Sequence, residues 1–289
     1  MANEVTSSVI SELYTNIVQA ALYQYSEGTV VRPLCRNYDM RGTPGLVSTV
    51  PKFPQISASS LTENTDITAN TGFNTTEATM TATEYGAKLL LTDVAKEASK
   101  EDISAAIGRQ LGDAMAVQAD SALTALFPSF SQRVGAAGDD VTVETIFKAV
   151  ARLRNQNAQG QVNVVLHPYS AFSLKKQLTQ AGNTNLSSLS DLGNQALRSG
   201  FIGQIAGANI FESTNVGKDT NDSVSGTGNY VGLAFTQDAM GFMIKRDVRI
   251  EIERDASLRA EEIVGSMSFG VAELFDEYGV GIVGNASVA

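Results

Sequence analysis

The chemistry this chain could perform is bounded by two residues. His167 is its only histidine and Cys35 its only cysteine. A serine hydrolase of the triad type would have to use His167 as its general base. That histidine sits between an apolar run, Val162 to Leu166, and Pro168, where a turn or helix-capping role is the ordinary use. With one histidine and one cysteine, the usual nitrogen and sulfur ligand set of a transition-metal site does not assemble. Cys35 cannot form an intramolecular disulfide and reads as a small buried hydrophobe.

The remaining polar patterns are weaker. Asp219, Asn221 and Asp222 carry oxygen ligands, but their order is not that of a calcium-binding loop. Gly226-Thr-Gly228 misses the dinucleotide fingerprint by one position and precedes a strand instead of following one. The carboxylate pairs Asp139/Asp140 and Glu261/Glu262 lie in polar sequence that solvation explains. Lys245 to Arg259 holds five basic residues interleaved with Asp247, Glu251, Glu253 and Asp255, a mixture that points to ion pairs within or between subunits and not to a nucleic-acid groove. No catalytic constellation emerges, no cofactor is expected, and the chain reads as a non-enzyme.

Composition agrees. The net charge is −10 with a pI near 4.7, and 43% of residues are hydrophobic. That supports a real core but gives a poor surface for gripping a polyanion. No N-terminal apolar run follows basic residues, so no secretory signal is expected. No apolar stretch reaches about 18 residues, so no membrane span is expected.

The elements that must position these residues centre on one long helix. Ser99 can cap its start with Asp102. Ile103, Ile107, Leu111, Met115, Ala119, Leu123 and Phe127 then recur every four residues, one stripe of an amphipathic helix. Pro128 ends it. Gly108 and Gly112 interrupt it one turn apart. Either another backbone approaches there or the helix bends there. Before it, Leu46 to Gly86 holds ten threonines and four serines, and its only charges after Lys52 are Glu63, Asp66, Glu77 and Glu84. Such a segment is either disordered or an extended hairpin ordered by docking on a partner, and β-branched threonine favours the hairpin. Ala87 to Thr92 reads as a short buried strand.

Val5 to Tyr25 is an N-terminal helix, either packed on its own domain or part of an arm over a neighbour. Thr29 to Gly45 is an irregular strap carrying Arg32, Arg36 and Arg41. Past the long helix come a second helix capped by Thr142 and ending at Asn155, a strand at Val162 to Leu166, and a third helix from Tyr169 to Gln180. A short helix at Asp191 to Ser199 and strands at Phe201 to Ile205 and Ala208 to Glu212 follow. Beyond a solvated loop at Thr214 to Asn229 lie strands at Tyr230 to Thr236, Gly241 to Lys245 and Val248 to Glu253, then an extended region, Ile263 to Val283. Helices and strands mix without a βαβ repeat, so the fold class is α+β.

Four stretches resemble the major capsid proteins of tailed bacteriophages, the Hong Kong 97-type capsid fold. Ala87-Lys-Leu-Leu-Leu-Thr-Asp-Val-Ala-Lys-Glu-Ala-Ser99 resembles the run from extended loop into spine helix. Val162-Asn-Val-Val-Leu-His-Pro-Tyr169 and Gly203-Gln-Ile-Ala-Gly-Ala-Asn-Ile-Phe-Glu-Ser213 resemble parts of the axial domain. Val248 to Asp255, with Phe269-Gly-Val-Ala-Glu-Leu-Phe-Asp-Glu-Tyr278, resembles the closing strands.

The resemblance implies an N-terminal arm over residues 1–45, an extended loop over 46–86 and a peripheral domain with the spine helix over 87–155. It further implies an axial domain over 156–262 and closing strands over 263–289 that return to the peripheral domain. It implies a shell subunit forming hexamers and pentamers around double-stranded DNA that it does not read by sequence. Assembly in the host cytoplasm would involve a separate scaffold protein, a portal and possibly a cement protein. In that lattice the acidic loop residues Glu63, Asp66, Glu77 and Glu84 would meet Lys96, Lys100 and Arg109 of a neighbouring spine. Arg32, Arg36 and Arg41 of the strap would pair with carboxylates across the same seam. Gly108 and Gly112 would be where the spine straightens as the shell expands. An encapsulin-type nanocompartment, a tail or baseplate protein and a hydrolase using His167 are the alternatives.

Overall fold

Runs of β-branched and aromatic residues sort into sheets, and helical stripes cover them. In the computed structural model the described residues are 17–25, 28–53, 58, 60, 63, 75–94, 103–179, 203–218 and 229–285. Helix α1 covers residues 17–25. Strands β1 (Arg36–Asp39), β2 (Val47–Lys52), β3 (Thr76–Thr81) and β4 (Thr83–Thr92) lead to the spine helix α2 (Ile103–Thr124). Then come β5 (Arg133–Val134), α3 (Val143–Asn155), β6 (Val162–Leu166), α4 (Pro168–Thr179), β7 (Gln204–Ile205) and β8 (Ala208–Glu212). Strands β9 (Asn229–Thr236), β10 (Met240–Asp255), β11 (Ala260–Glu273) and β12 (Gly279–Asn285) complete the chain.

Among the described residues the strands form three sheets. One has the order β1-β10-β11-β4, a second β5-β12-β9-β6-β8-β7, and the third is the pair β2-β3. The spine lies on the first sheet. Ile107 and Leu111 share a cluster with Ile17, Ala21, Leu91, Ile250 and Ile263. Lower on the same stripe, Met115, Ala119, Leu123 and Phe127 join Phe242 and Phe269 of the first sheet to Leu233 and Phe235 of the second. The spine's apolar face is therefore the seam between the two sheets.

The spine is shorter at its C-terminus than the expected end at Phe127. Its 22 helical residues span about 33 Å. Thr124 ends it because its hydroxyl donates to Asn215 O at 2.8 Å, after which Leu126 N bonds Leu123 O in a tighter turn. Pro128 sits inside a 3₁₀ turn, Phe127–Ser129. The expected cap at Ser99 lies outside the described residues, as does the expected helix at residues 191–199.

Helix α3 starts as expected, with the Thr142 hydroxyl accepting from Thr145 N at 3.2 Å. Its buried face, Val143, Ile146, Ala149 and Leu153, packs on Val162, Val164, Val280 and Ile282. Helix α3 therefore packs on the six-stranded sheet and not on the spine sheet. The last four strands divide between the two sheets. Strand β10 pairs with β1 and β11 in the spine sheet, whereas β12, inside the expected closing segment, pairs with β9 in the other. The chain crosses between sheets through the 3₁₀ turn Gln237–Ala239 and crosses back through Asp276–Tyr278.

Two strands also differ in kind. The expected buried strand at Ala87 to Thr92 is the end of the ten-residue β4, where only Leu91 is buried and exposure alternates, as on a sheet with one covered face. The separate strands expected near 241–245 and 248–253 form one 16-residue strand, β10, whose register shifts between Ile244 and Arg246 and again before Arg249.

Candidate assembly surface

Residues 17–25 are held on their own domain. Helix α1 lies along the spine where Gly108 and Gly112 leave room. A Cβ on Gly108 would stand 2.6 Å from Ile17 O, and one on Gly112 would collide with Ala21 O. These glycines therefore sit at a close backbone approach. Gln24 Nε2 donates to Asp113 Oδ1 at 2.7 Å beside them.

The strap that follows is fastened by a residue that the sequence reading passed over. Asp120 is fully buried on the spine. Its carboxylate accepts N–H bonds from Val30 at 2.7 Å, Val31 at 3.2 and 3.3 Å, and Arg32 at 3.4 Å. Three successive amides thus converge on one anion. Burial pushes the carboxyl above its usual range, and the three N–H bonds and Arg32 partly offset that. The one available signal was an acid four residues beyond Ala116, on the helix face that otherwise carries the apolar stripe.

Arg32 places its guanidinium 5.0 Å from the Tyr25 ring centre and 5.1 Å from that of Phe242. Cys35 is buried, its Sγ donates to Val31 O at 3.4 Å, and burial pushes its thiol pKa up. The strap then forms β1, a parallel edge strand on β10, where irregular chain was expected. Arg36 pairs with Asp238 at 3.0 Å, and Arg41 with Asp39 at 2.7 Å and Asp247 at 3.5 Å. The Arg41 guanidinium holds Asp39 down to about 2. Arg36 and Arg41, expected to find carboxylates on a neighbour, have partners within the chain and remain half exposed.

The hairpin legs β2 and β3 pair from Val47 with Thr81 to Lys52 with Thr76. Pro51 is tolerated because β2 is an edge. The base is anchored by the irregular stretch of β10. Arg246 pairs with Glu84, Lys245 Nζ donates to Thr43 O, and Asp247 pairs with Arg41. Glu84 therefore has a partner in its own chain. Glu63, Glu77 and Arg109 are exposed, while Asp66, Lys96 and Lys100 lie outside the described residues. At the far end of β10, Arg254 makes two bonds to Asp93, at 2.8 and 2.7 Å. Lys88 meets Glu262 at 2.6 Å.

His167 Nδ1 accepts from Tyr169 N at 3.2 Å at the start of α4, and its ring stacks on Tyr230. That is a capping geometry, and with Nδ1 accepting, the neutral ring carries its proton on Nε2, the nitrogen that a triad base needs free. A cleft of about 240 Å³ between strap and sheet is lined by Pro33, Leu34, Gln161, Asn163, Gln237 and Asp238. Among the described residues there is no cluster of three metal-ligating side chains, and no helix is long and apolar enough to cross a membrane.

Neither a family model nor a curated relative matches the chain. Solved structures do. A capsid protein of the cyanophage P-SCSP1u superposes with a TM-score of 0.70 at 18% identity, covering 88% of this chain and 87% of that one. The acid-stable capsid of Helicobacter pylori bacteriophage KHP30 gives 0.69 at 17% identity, covering 88% of each chain. A structure from Mycobacterium phage Che8 gives 0.68 at 20% identity over 88% and 90%. The chain has the Hong Kong 97-type capsid fold. In terms of that fold, the hairpin β2-β3 is the extended loop, α2 the spine helix, and the six-stranded sheet with α3 and α4 the second lobe.

Proposed function

We propose that this chain is the major capsid protein of a tailed bacteriophage. It would self-assemble into the hexamers and pentamers of an icosahedral shell that encloses double-stranded DNA. The observation that carries this reading is the superposition on phage capsid structures over about 88% of the chain at TM-scores near 0.7. Supporting it, the hairpin β2-β3 forms a sheet of its own and exposes Leu46, Val47 and Phe53, a shape that gains its cover from another copy. The net charge of −10 keeps the subunit from gripping DNA that must move during packaging.

In this reading Glu63, Asp66 and Glu77 of the loop meet Lys96, Lys100 and Arg109 of a neighbouring spine, and the strap arginines lie along the same seam. Assembly takes place in the host cytoplasm with a separate scaffold protein and a portal, and a cement protein is a further possible partner. Negative-stain microscopy of the protein expressed alone and with its scaffold tests the proposal. Closed shells are expected. Monodisperse monomers under both conditions would overturn it.

A further inference from the structure

The sole histidine is built into a junction that the shell role does not account for. His167 is 9% exposed. Its ring lies flat on Tyr230 of β9, with centroids 3.7 Å apart and 10° between planes, and Tyr169 meets it edge-on at 4.9 Å. Pro168 cannot donate, so Tyr169 N is the first backbone donor of α4, and it donates to His167 Nδ1 at 3.2 Å. His167 O accepts from Ala171 N at 3.0 Å, which makes the residue the cap of the helix. An Nδ1 that accepts carries no proton, so the capping form is the neutral ring protonated at Nε2.

We propose that His167 is an acid-sensitive latch fastening the start of α4 to β9. Protonation at Nδ1 removes the acceptor from Tyr169 N. It also creates a cation at a helix N-terminus, where the macrodipole is already positive. The groups facing the ring are Tyr169 from α4, Tyr230 from β9 and Lys218 from the segment leading into β9. Lys218 bridges to Tyr230 across the sheet edge, with its Nζ 6.0 Å from that ring's centre. Among the described residues no carboxylate bonds the ring. Attraction between imidazolium and the Tyr230 face works the other way, against the lost cap, the helix end, burial and Lys218 together. Burial and Lys218 hold the imidazole below its ordinary 6.5. A folded value below the unfolded one means the latch's contribution is complete above 6.5 and is lost as pH falls through the folded value.

A single histidine makes the test direct. Its ring resonances are followed by NMR in the unassembled full-length chain from pH 8 to 4.5, and one midpoint below 6.5 is expected. In parallel, Tm is measured at pH 7.5 and 5.5 for the wild type and for His167→Asn. Asparagine keeps a capping oxygen and does not titrate, so the wild type should lose more Tm than the variant. A midpoint at or above 6.5, or equal losses, would overturn the latch. Should the variant fail to fold, hydrogen exchange at the Tyr169 amide of the wild type decides. Protection should fall as the ring titrates, and constant protection would sink the proposal.

Discussion

Removing the Asp120 carboxylate should free the N-terminal strap while leaving the two sheets folded. The carboxylate serves the amides of residues 30, 31 and 32, and Val31 is fully buried. In Asp120→Ala each stranded amide loses an acceptor. One buried unsatisfied group costs about 1–3 kcal/mol. Val30 and Arg32 are only half buried, and water can reach them, so they add less. Against this, the variant no longer buries an anion, an offset of similar sign to the burial that pushes the Asp120 carboxyl up. With the smaller terms and the offset taken as cancelling, the expected net loss is about 1–3 kcal/mol in urea unfolding, at or under the low end of the roughly 3–5 kcal/mol seen on breaking a buried charged pair. Hydrogen exchange should quicken at residues 30–32 before it quickens in β10.

Asp120→Asn keeps the shape but turns an amide N–H₂ toward one of the donors. It should fall between wild type and alanine. The pH dependence has a fixed sign. Because the folded value is raised above the usual 3.8, the wild type gains from this group in full below 3.8. It loses that gain as pH rises through the folded value, so the asparagine variant's deficit should narrow toward neutral pH. Unchanged exchange at residues 30–32, together with less than about 0.5 kcal/mol of destabilisation, an ordinary surface effect, would refute the clasp.

Three further outcomes are expected. Gly112→Ala puts a methyl into Ala21 O and should lift α1, destabilising by about 1–3 kcal/mol and exposing residues 17–35 to limited proteolysis. Normal protease resistance would show that α1 docks elsewhere. Arg246→Ala removes a pair whose side chains are 43% and 63% exposed, so monomer stability should change by roughly 0–1 kcal/mol. Charge reversal at Lys96 and Lys100 should reduce shell yield by microscopy with the monomer's melting intact. Unfolding of the monomer would place those lysines inside the domain and not in the lattice.

Periodicity made the local elements readable. The stripe from Ile107 to Leu123, the Thr142 cap, the apolar β6 and the alternation of Val248, Ile250 and Ile252 each follow from short-range sequence, and each appears in the structure. Continuity and partnership were not readable. Strand β10 looked like two strands because its irregular stretch, Lys245 to Asp247, puts three charged residues in a row. Their partners, Thr43, Glu84 and Arg41, lie about 160 to 200 residues away. Which sheet each element joins was unreadable for a similar reason. Apolar α3 and β12 announce burial, but nothing local says against which sheet. Asp120 was missed because an acid in a helix ordinarily marks a solvated face, and only the strap's amides make it a buried acceptor.

These long-range pins explain how one chain can be both rigid and extended. The spine's stripe fills the seam between two sheets, so its lower half is immobilised by core packing from Met115 to Phe127. The segments leaving that core are held differently. The strap hangs on one carboxylate, the hairpin base on Arg246 and Lys245, and the tip of β10 and β11 on Arg254. Of these fastenings the Asp120 carboxylate is fully buried, whereas Arg246 and Glu84 are 43% and 63% exposed and Arg254 and Asp93 52% and 36%. Exposed pairs hold direction weakly and are screened by salt. The hairpin base has apolar cover as well, because Met80 of β3 is fully buried with Ala82 against Met243 of β10, so moving it costs more than breaking exposed pairs. A strap fixed by a buried carboxylate and a hairpin held at its base leave Val47 and Phe53 as exposed apolar groups of the hairpin, the surface that a neighbouring copy would cover in the proposed shell.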